Sequence, residues 1–124
     1  KEDYENLAAK YWPGALTLII PVSENKKSTL TSKNFTLGLR IPNSYMAQSL
    51  MREAGPLLTS SANISGFKGS IKAEGIALDF PSVDILGPVP WEKGSGKAST
   101  IISWNKSGDW RLIREGEVLI QESH

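Results

Sequence analysis

Leu57-Leu58-Thr59-Ser60-Ser61-Ala62-Asn63-Ile64-Ser65-Gly66 holds the chain's densest run of small hydrogen-bonding side chains, directly behind an apolar pair. Gly55-Pro56 ends whatever precedes it, Leu57 and Leu58 read as a buried strand, and Ser60, Ser61, Asn63 and Ser65 fall where that strand should run out into a loop. Ligands of open α/β sheets collect at such strand ends. Two uses suit these residue types. Ser and Asn cap helices and close turns. Their hydroxyls and amides, with exposed backbone N–H groups, also cradle phosphates and carboxylates without any formal charge.

Outward from this stretch the chain alternates strand and helix patterns. Tyr4, Leu7, Ala8 and Tyr11 recur at helical spacing, with Glu2, Asp3 and Glu5 in the first turn where the helix dipole favours negative charge. Pro13-Gly14 stops that helix. Leu16 to Val22 is apolar on both faces, as a central strand is, and Thr17 is the one polar side chain within it. Ser23 to Lys33 lacks any apolar period and reads as a surface loop. Phe35, Leu37, Leu39 and Ile41 alternate with Thr36, Gly38 and Arg40, a period of two that buries one face and turns Arg40 to the other. Pro42-Asn43-Ser44 starts a helix over 45–54, which Gly55 caps.

Beyond the Ser-Asn run the pattern predicts a short helix over 71–80 and a short strand over 83–86. Gly87 to Lys97 has three glycines, two prolines and no period, the character of a loop that covers a site. Its Gly94-Ser95-Gly96-Lys97 lacks the spacing of a phosphate-binding Walker loop. Ser99–Trp104 and Trp110–Arg114 flank Asn105-Lys106-Ser107-Gly108 and form a β-hairpin, with Trp104 and Trp110 as a cross-strand packing pair. The alternation as a whole implies an α/β fold with a mixed sheet.

Five motifs in order resemble the YrdC-like family, the threonylcarbamoyl-AMP synthases. They are Trp12-Pro13-Gly14-Ala15-Leu16-Thr17, Leu39-Arg40-Ile41-Pro42, Ser61-Ala62-Asn63-Ile64-Ser65-Gly66, Ser99-Thr100-Ile101-Ile102 and Leu112-Ile113-Arg114-Glu115-Gly116. The resemblance implies a twisted mixed sheet with flanking helices and a concave nucleotide-binding cleft. It also implies an upstream segment in the complete domain, carrying a first strand, a Pro-Thr-Glu-Thr-like turn and a Lys-x-Arg motif. The chain is therefore expected to be a single, N-terminally truncated domain. Ala15 and Ala98 stand where the family often has proline, and Pro88 where a glycine is usual.

The implied reaction joins L-threonine, bicarbonate and ATP into threonylcarbamoyl-AMP and releases pyrophosphate, supplying the threonylcarbamoyladenosine modification of tRNA through downstream partner proteins. Carboxylated threonine itself attacks the α-phosphorus, so the protein supplies alignment and charge neutralisation rather than a covalent nucleophile. By resemblance, Arg40, Ser61 and Asn63 form the catalytic set. Thr17, Ser61, Ala62, Asn63, Ser65, Ser99, Thr100 and Arg114 contact the nucleotide. Magnesium is expected to arrive with the phosphates, and no protein metal site is expected. Arg40 suits a carboxylate or phosphate because its guanidinium can bond bidentately. A surface salt bridge is the structural alternative.

The composition agrees with that chemistry. There is no cysteine, the single histidine is the last residue, His124, and no carboxylate pair is placed as acid and base. With 14 Lys plus Arg against 13 Asp plus Glu, a net charge of +1 recruits neither nucleic acid nor anionic membrane as a whole, so any anion site is local. No run reaches the ~18 apolar residues of a membrane span, and a cytoplasmic protein is expected. A non-catalytic module binding tRNA or double-stranded RNA on the same fold is the alternative function.

Overall fold

The computed structural model describes residues 2–23, 36–59, 72–91 and 94–120. They fall into two compact units, one of residues 1–48 and 97–124 and one of residues 49–96. The first contains a four-stranded mixed sheet of order β2-β1-β3-β4, built from β1 (Leu16–Pro21), β2 (Thr36–Leu39), β3 (Thr100–Trp104) and β4 (Trp110–Arg114). The two inner strands, β1 and β3, run parallel with Leu16 opposite Thr100. Each outer strand is antiparallel to its inner neighbour.

One face of this sheet makes the core. Leu16, Leu18, Ile102 and Trp104 are almost fully buried there, and Tyr4, Leu7, Ala8 and Tyr11 of helix α1 (Glu2–Tyr11) pack on them. Burying each such aliphatic side chain is worth about 1.5–3 kcal/mol, which is how a helix of modest intrinsic propensity is held in place. Tyr4 meets Trp104 edge-on at 5.8 Å between ring centres. Trp104 and Trp110 pair across the hairpin at 6.2 Å, as their opposed positions require. The turn between them is fixed by Asn105, whose Oδ1 accepts from the N–H groups of Ser107 and Asp109, and by Gly108 at φ +90°.

Helix α2 (Tyr45–Ala54) begins as its sequence requires. The Ser44 hydroxyl accepts from the N–H of Ala47 at 3.2 Å, and Gly55 ends the helix at φ +80° with its N–H on the Met51 carbonyl. Its apolar stripe is less covered than the period suggests: no residue of α2 is buried, and Leu50 is exposed.

In the second unit, α3 (Ala73–Asp79) lies within the predicted 71–80 helix and buries Ile76. Two expectations are corrected there. Leu57 and Leu58 are not a buried strand: they are irregular, and 44% and 79% exposed. Residues 83–86 form no strand either, with Val83 and Leu86 exposed. Short apolar runs need a pairing partner to become strands, and among the described residues neither has one. The Ser60–Ser70 region, with Ser61, Ala62, Asn63 and Ser65, lies outside the described residues.

Candidate functional site

The face of the sheet opposite α1 carries the polar residues. Because Leu16 and Leu18 are core residues, alternation puts Thr17 on the other face. Ser99 lies just before β3, and the parallel register brings it beside Thr17, with the two hydroxyl oxygens 2.8 Å apart. Gly38 pairs with Ile19 on the neighbouring strand, and a Cβ there would come only within 3.8 Å of Thr17 Cγ2.

Arg114 reaches the same place from β4. Its Nε and Nη2 both donate to the Ser99 carbonyl, at 3.0 and 2.9 Å, and Nη2 also donates to Ser99 Oγ at 3.2 Å. The register of the hairpin makes this possible. Trp104 pairs with Trp110 and Ile102 with Leu112, but Ile101 pairs with Arg114, so a β-bulge skips one residue. Strict alternation from Leu112 would turn Arg114 toward the core; the bulge re-aims it to the open face.

Arg40, one residue past β2, does on the other flank what Arg114 does on this one. Its Nε donates to the Gly14 carbonyl at 3.0 Å, and the Gly14 N–H donates to the Ile41 carbonyl at 2.8 Å. Among the described residues Arg40 has no other partner and makes no salt bridge. Since Thr100 N–H bonds the Ala15 carbonyl, Gly14 and Ser99 lie at one end of the sheet. The two guanidinium groups therefore start from the two outer strands at that same end. Three strand spacings separate those strands, about 14 Å. The Thr17–Ser99 hydroxyl pair sits between them.

Thr100 is 1% exposed, and its hydroxyl is committed inside the fold: it donates to the Val118 carbonyl and accepts from the Gly116 N–H at 3.1 Å. With the Glu117 N–H on the Ala98 carbonyl at 3.0 Å, it ties the segment after β4 to the start of β3. Two glycines are required by close approach. A Cβ on Gly14 would collide with the Tyr11 carbonyl, and one on Gly116 with Ala98 and Ser99 backbone. Neither role is read from composition. The only sequence signal is that each glycine sits inside a quoted motif, Trp-Pro-Gly or Arg-Glu-Gly. Among the described residues no group of three or more His, Asp or Glu gathers as a metal site, and no helix is long and apolar enough to cross a membrane.

Comparison with known proteins adds the context. The Sua5/YciO/YrdC family model, described as telomere recombination, matches residues 1–116. A threonylcarbamoyl-AMP synthase of Bacillus subtilis is 38% identical over 106 residues, which is 82% of this chain and 30% of that protein. A putative threonylcarbamoyl-AMP synthase of Mycobacterium leprae is 35% identical over 114 residues, 92% of this chain and 51% of that protein. The solved structure of Pyrococcus abyssi Sua5 complexed with L-threonine superposes with a TM-score of 0.77 at 32% identity, covering 94% of this chain and 34% of that one. A double-substitution variant of the same protein gives 0.79 at 33% identity. The chain thus spans about a third to a half of the length of these relatives.

Proposed function

The chain belongs to the Sua5/YciO/YrdC family, and on that premise we propose that it forms the larger part of a threonylcarbamoyl-AMP synthase domain, acting on L-threonine, bicarbonate and ATP. The observation that carries the reading is the pair of guanidinium groups at one end of the sheet, flanking a hydroxyl pair on the face that α1 leaves open. Two cations at one end of the sheet, Arg114 on the Ser99 carbonyl and Arg40 on the Gly14 carbonyl, with neutral donors beside them suit a polyanion, and joining a carbamate to an adenylate demands that both be aligned and their repulsion neutralised.

In this reading Arg40, with its remaining donors unused among the described residues, holds one anionic end of the assembled substrates. Thr17 and Ser99 supply hydroxyls along the face. Ser61, Ala62, Asn63 and Ser65 supply the phosphate cradle, with Ser61 and Asn63 beside Arg40 in the catalytic set. Thr100 contributes through Gly116 rather than through a hydroxyl on the nucleotide, because its own oxygen is already bonded on both sides. Magnesium enters with the ATP phosphates. The product feeds tRNA threonylcarbamoylation in the cytoplasm, through partner proteins.

Calorimetric titration of ATP and of L-threonine into the protein, with Asn63→Ala alongside, tests this together with threonine-dependent pyrophosphate release. Binding of both substrates, with ATP binding weakened about tenfold or more in the variant, is the expected outcome. Binding of tRNA that falls steeply with salt, without any pyrophosphate release, would replace the synthase by an RNA-binding module.

A further inference from the structure

We propose that Thr100 is a positioning residue: its hydroxyl clamps the segment after β4 onto the backbone on both sides of Ser99, and so sets where the Ser99 hydroxyl meets the ligand. The inference rests on the synthase reading for its ligand and on hydrogen-bond accounting for the clamp. Thr100 Oγ1 donates its one hydrogen to the Val118 carbonyl and accepts from the Gly116 N–H at 3.1 Å. With that hydrogen spent and the residue 1% exposed, Thr100 has nothing to offer a ligand. The Glu117 N–H bonds the Ala98 carbonyl at 3.0 Å. Residues 116, 117 and 118 in succession therefore hold residues 98 and 100, the two neighbours of Ser99.

A clamp needs a fixed end, and the core provides one. Val118 and Ile120 pack against the cluster of Leu16, Leu18, Ile102 and Trp104, while Leu119 between them is 79% exposed. That alternation belongs to an extended segment with one apolar side. The segment comes so near the Ser99 carbonyl that only a glycine fits at 116. From the other direction the Thr100 N–H bonds the Ala15 carbonyl at 2.9 Å, so Ser99 is seated between the start of β1 and the clamp. Arg114 donates to the Ser99 carbonyl from Nε and Nη2, and the backbone that the clamp fixes thus also seats the cation that grips the ligand. A hydroxyl makes both bonds of Thr100 from one atom, which accounts for a polar side chain at a fully buried place in an inner strand.

Two measurements on the full-length protein decide it. The first, hydrogen exchange of the Gly116 and Glu117 amides, needs no ligand. Glu117 bonds Ala98 and not Thr100, so it discriminates. In Thr100→Val its exchange should accelerate with that of Gly116, about tenfold or more beyond any change in the β1 amides, which report global unfolding. Acceleration at Gly116 alone overturns the clamp. The second is a binding cycle with ATP and L-threonine as probes. Ser99→Ala should weaken at least one probe about tenfold. Thr100→Val should weaken the same probe about 3- to 30-fold, since a misplacement of about 1 Å costs on the order of 100-fold. Thr100→Ser, which keeps the hydroxyl, should recover most of that loss. S99A/T100V should lose less than the product of the two single losses, because Thr100 acts through Ser99. A loss equal to the product contradicts the proposal, as does a Thr100→Val protein whose Kd is that of the wild type, even at lowered stoichiometry. Where Thr100→Val does not fold, Val118→Ala loosens the fixed end and keeps the hydroxyl; faster exchange at both amides with a weakened probe supports the clamp, and wild-type values of both overturn it. Should the wild type bind neither probe, the synthase reading falls, and the exchange result alone decides the clamp.

Discussion

Gly116→Ala is the most demanding perturbation of the site that changes no polar atom. A Cβ at this position would lie 2.5 Å from the Ser99 carbonyl carbon and 2.6 Å from its oxygen, and closer still to the Ala98 oxygen, whereas real contacts of this kind begin at 3.0–3.4 Å. All three atoms are backbone, so no side chain can swing away. Relief of the Ser99 oxygen contact alone requires the two segments to part by about 0.4–0.8 Å. Added to the 3.1 Å bond from Gly116 N–H to Thr100 and the 3.0 Å bond from Glu117 N–H to Ala98, this gives about 3.4–3.9 Å, at or past the hydrogen-bond limit. Overpacking and two weakened bonds, less the entropy gained by removing a glycine, leave a net loss of about 1–3 kcal/mol. For a chain of this size that lowers Tm by about 4–12 °C. Thermal melts and urea titrations measure it, with Gly38→Ala as the comparison. A Cβ at Gly38 meets nothing nearer than 3.8 Å, so that variant should change stability by no more than about 0.5 kcal/mol. A Gly116→Ala protein melting with the wild type, or a Gly38→Ala protein losing as much, would refute the close-approach argument.

Thr100→Val should cost about 1–3 kcal/mol in urea unfolding, because it leaves the Val118 carbonyl and the Gly116 N–H without their partner, while Thr100→Ser should retain most of the stability. Arg40→Ala should be nearly neutral in a thermal melt, since the side chain is exposed and makes one bond among the described residues, yet should weaken ATP or L-threonine binding about tenfold or more. Arg40→Lys should recover only part of that affinity, because an ammonium cannot reproduce the planar fork; full recovery would reduce Arg40 to a point charge.

What the sequence shows, it shows through local periods. The spacing of Tyr4, Leu7, Ala8 and Tyr11 gives α1, the apolar run from Leu16 gives the inner strand β1, and the residues Asn105 to Gly108 give the hairpin with its tryptophan pair. Leu57-Leu58 and Val83–Leu86 look equally apolar, but a strand exists only where another strand pairs with it. That information is not local. The same holds for the site. Arg40, Thr17, Ser99 and Arg114 are legible as motif residues, whereas the contact that joins Ser99 to Arg114 spans 15 positions and the one that joins it to Thr17 spans 82. Thr100 reads as one more polar ligand residue, and only its two bonds across to residues 116 and 118 reveal a tie within the fold.

The position of Arg114 shows how a local rule fails usefully. Trp110 and Leu112 pack toward the core, so period-two alternation assigns Arg114 to the same face, where an unpaired guanidinium would be costly. The bulge opposite Ile101 and Ile102 removes the conflict by inserting one extra residue. Ile113 falls outside the paired register and remains exposed, and Arg114 comes round to the open face at the level of Ser99. The bulge therefore trades one apolar contact for one correctly aimed cation. Without it the sheet would have a cation on only one flank of the Thr17–Ser99 pair.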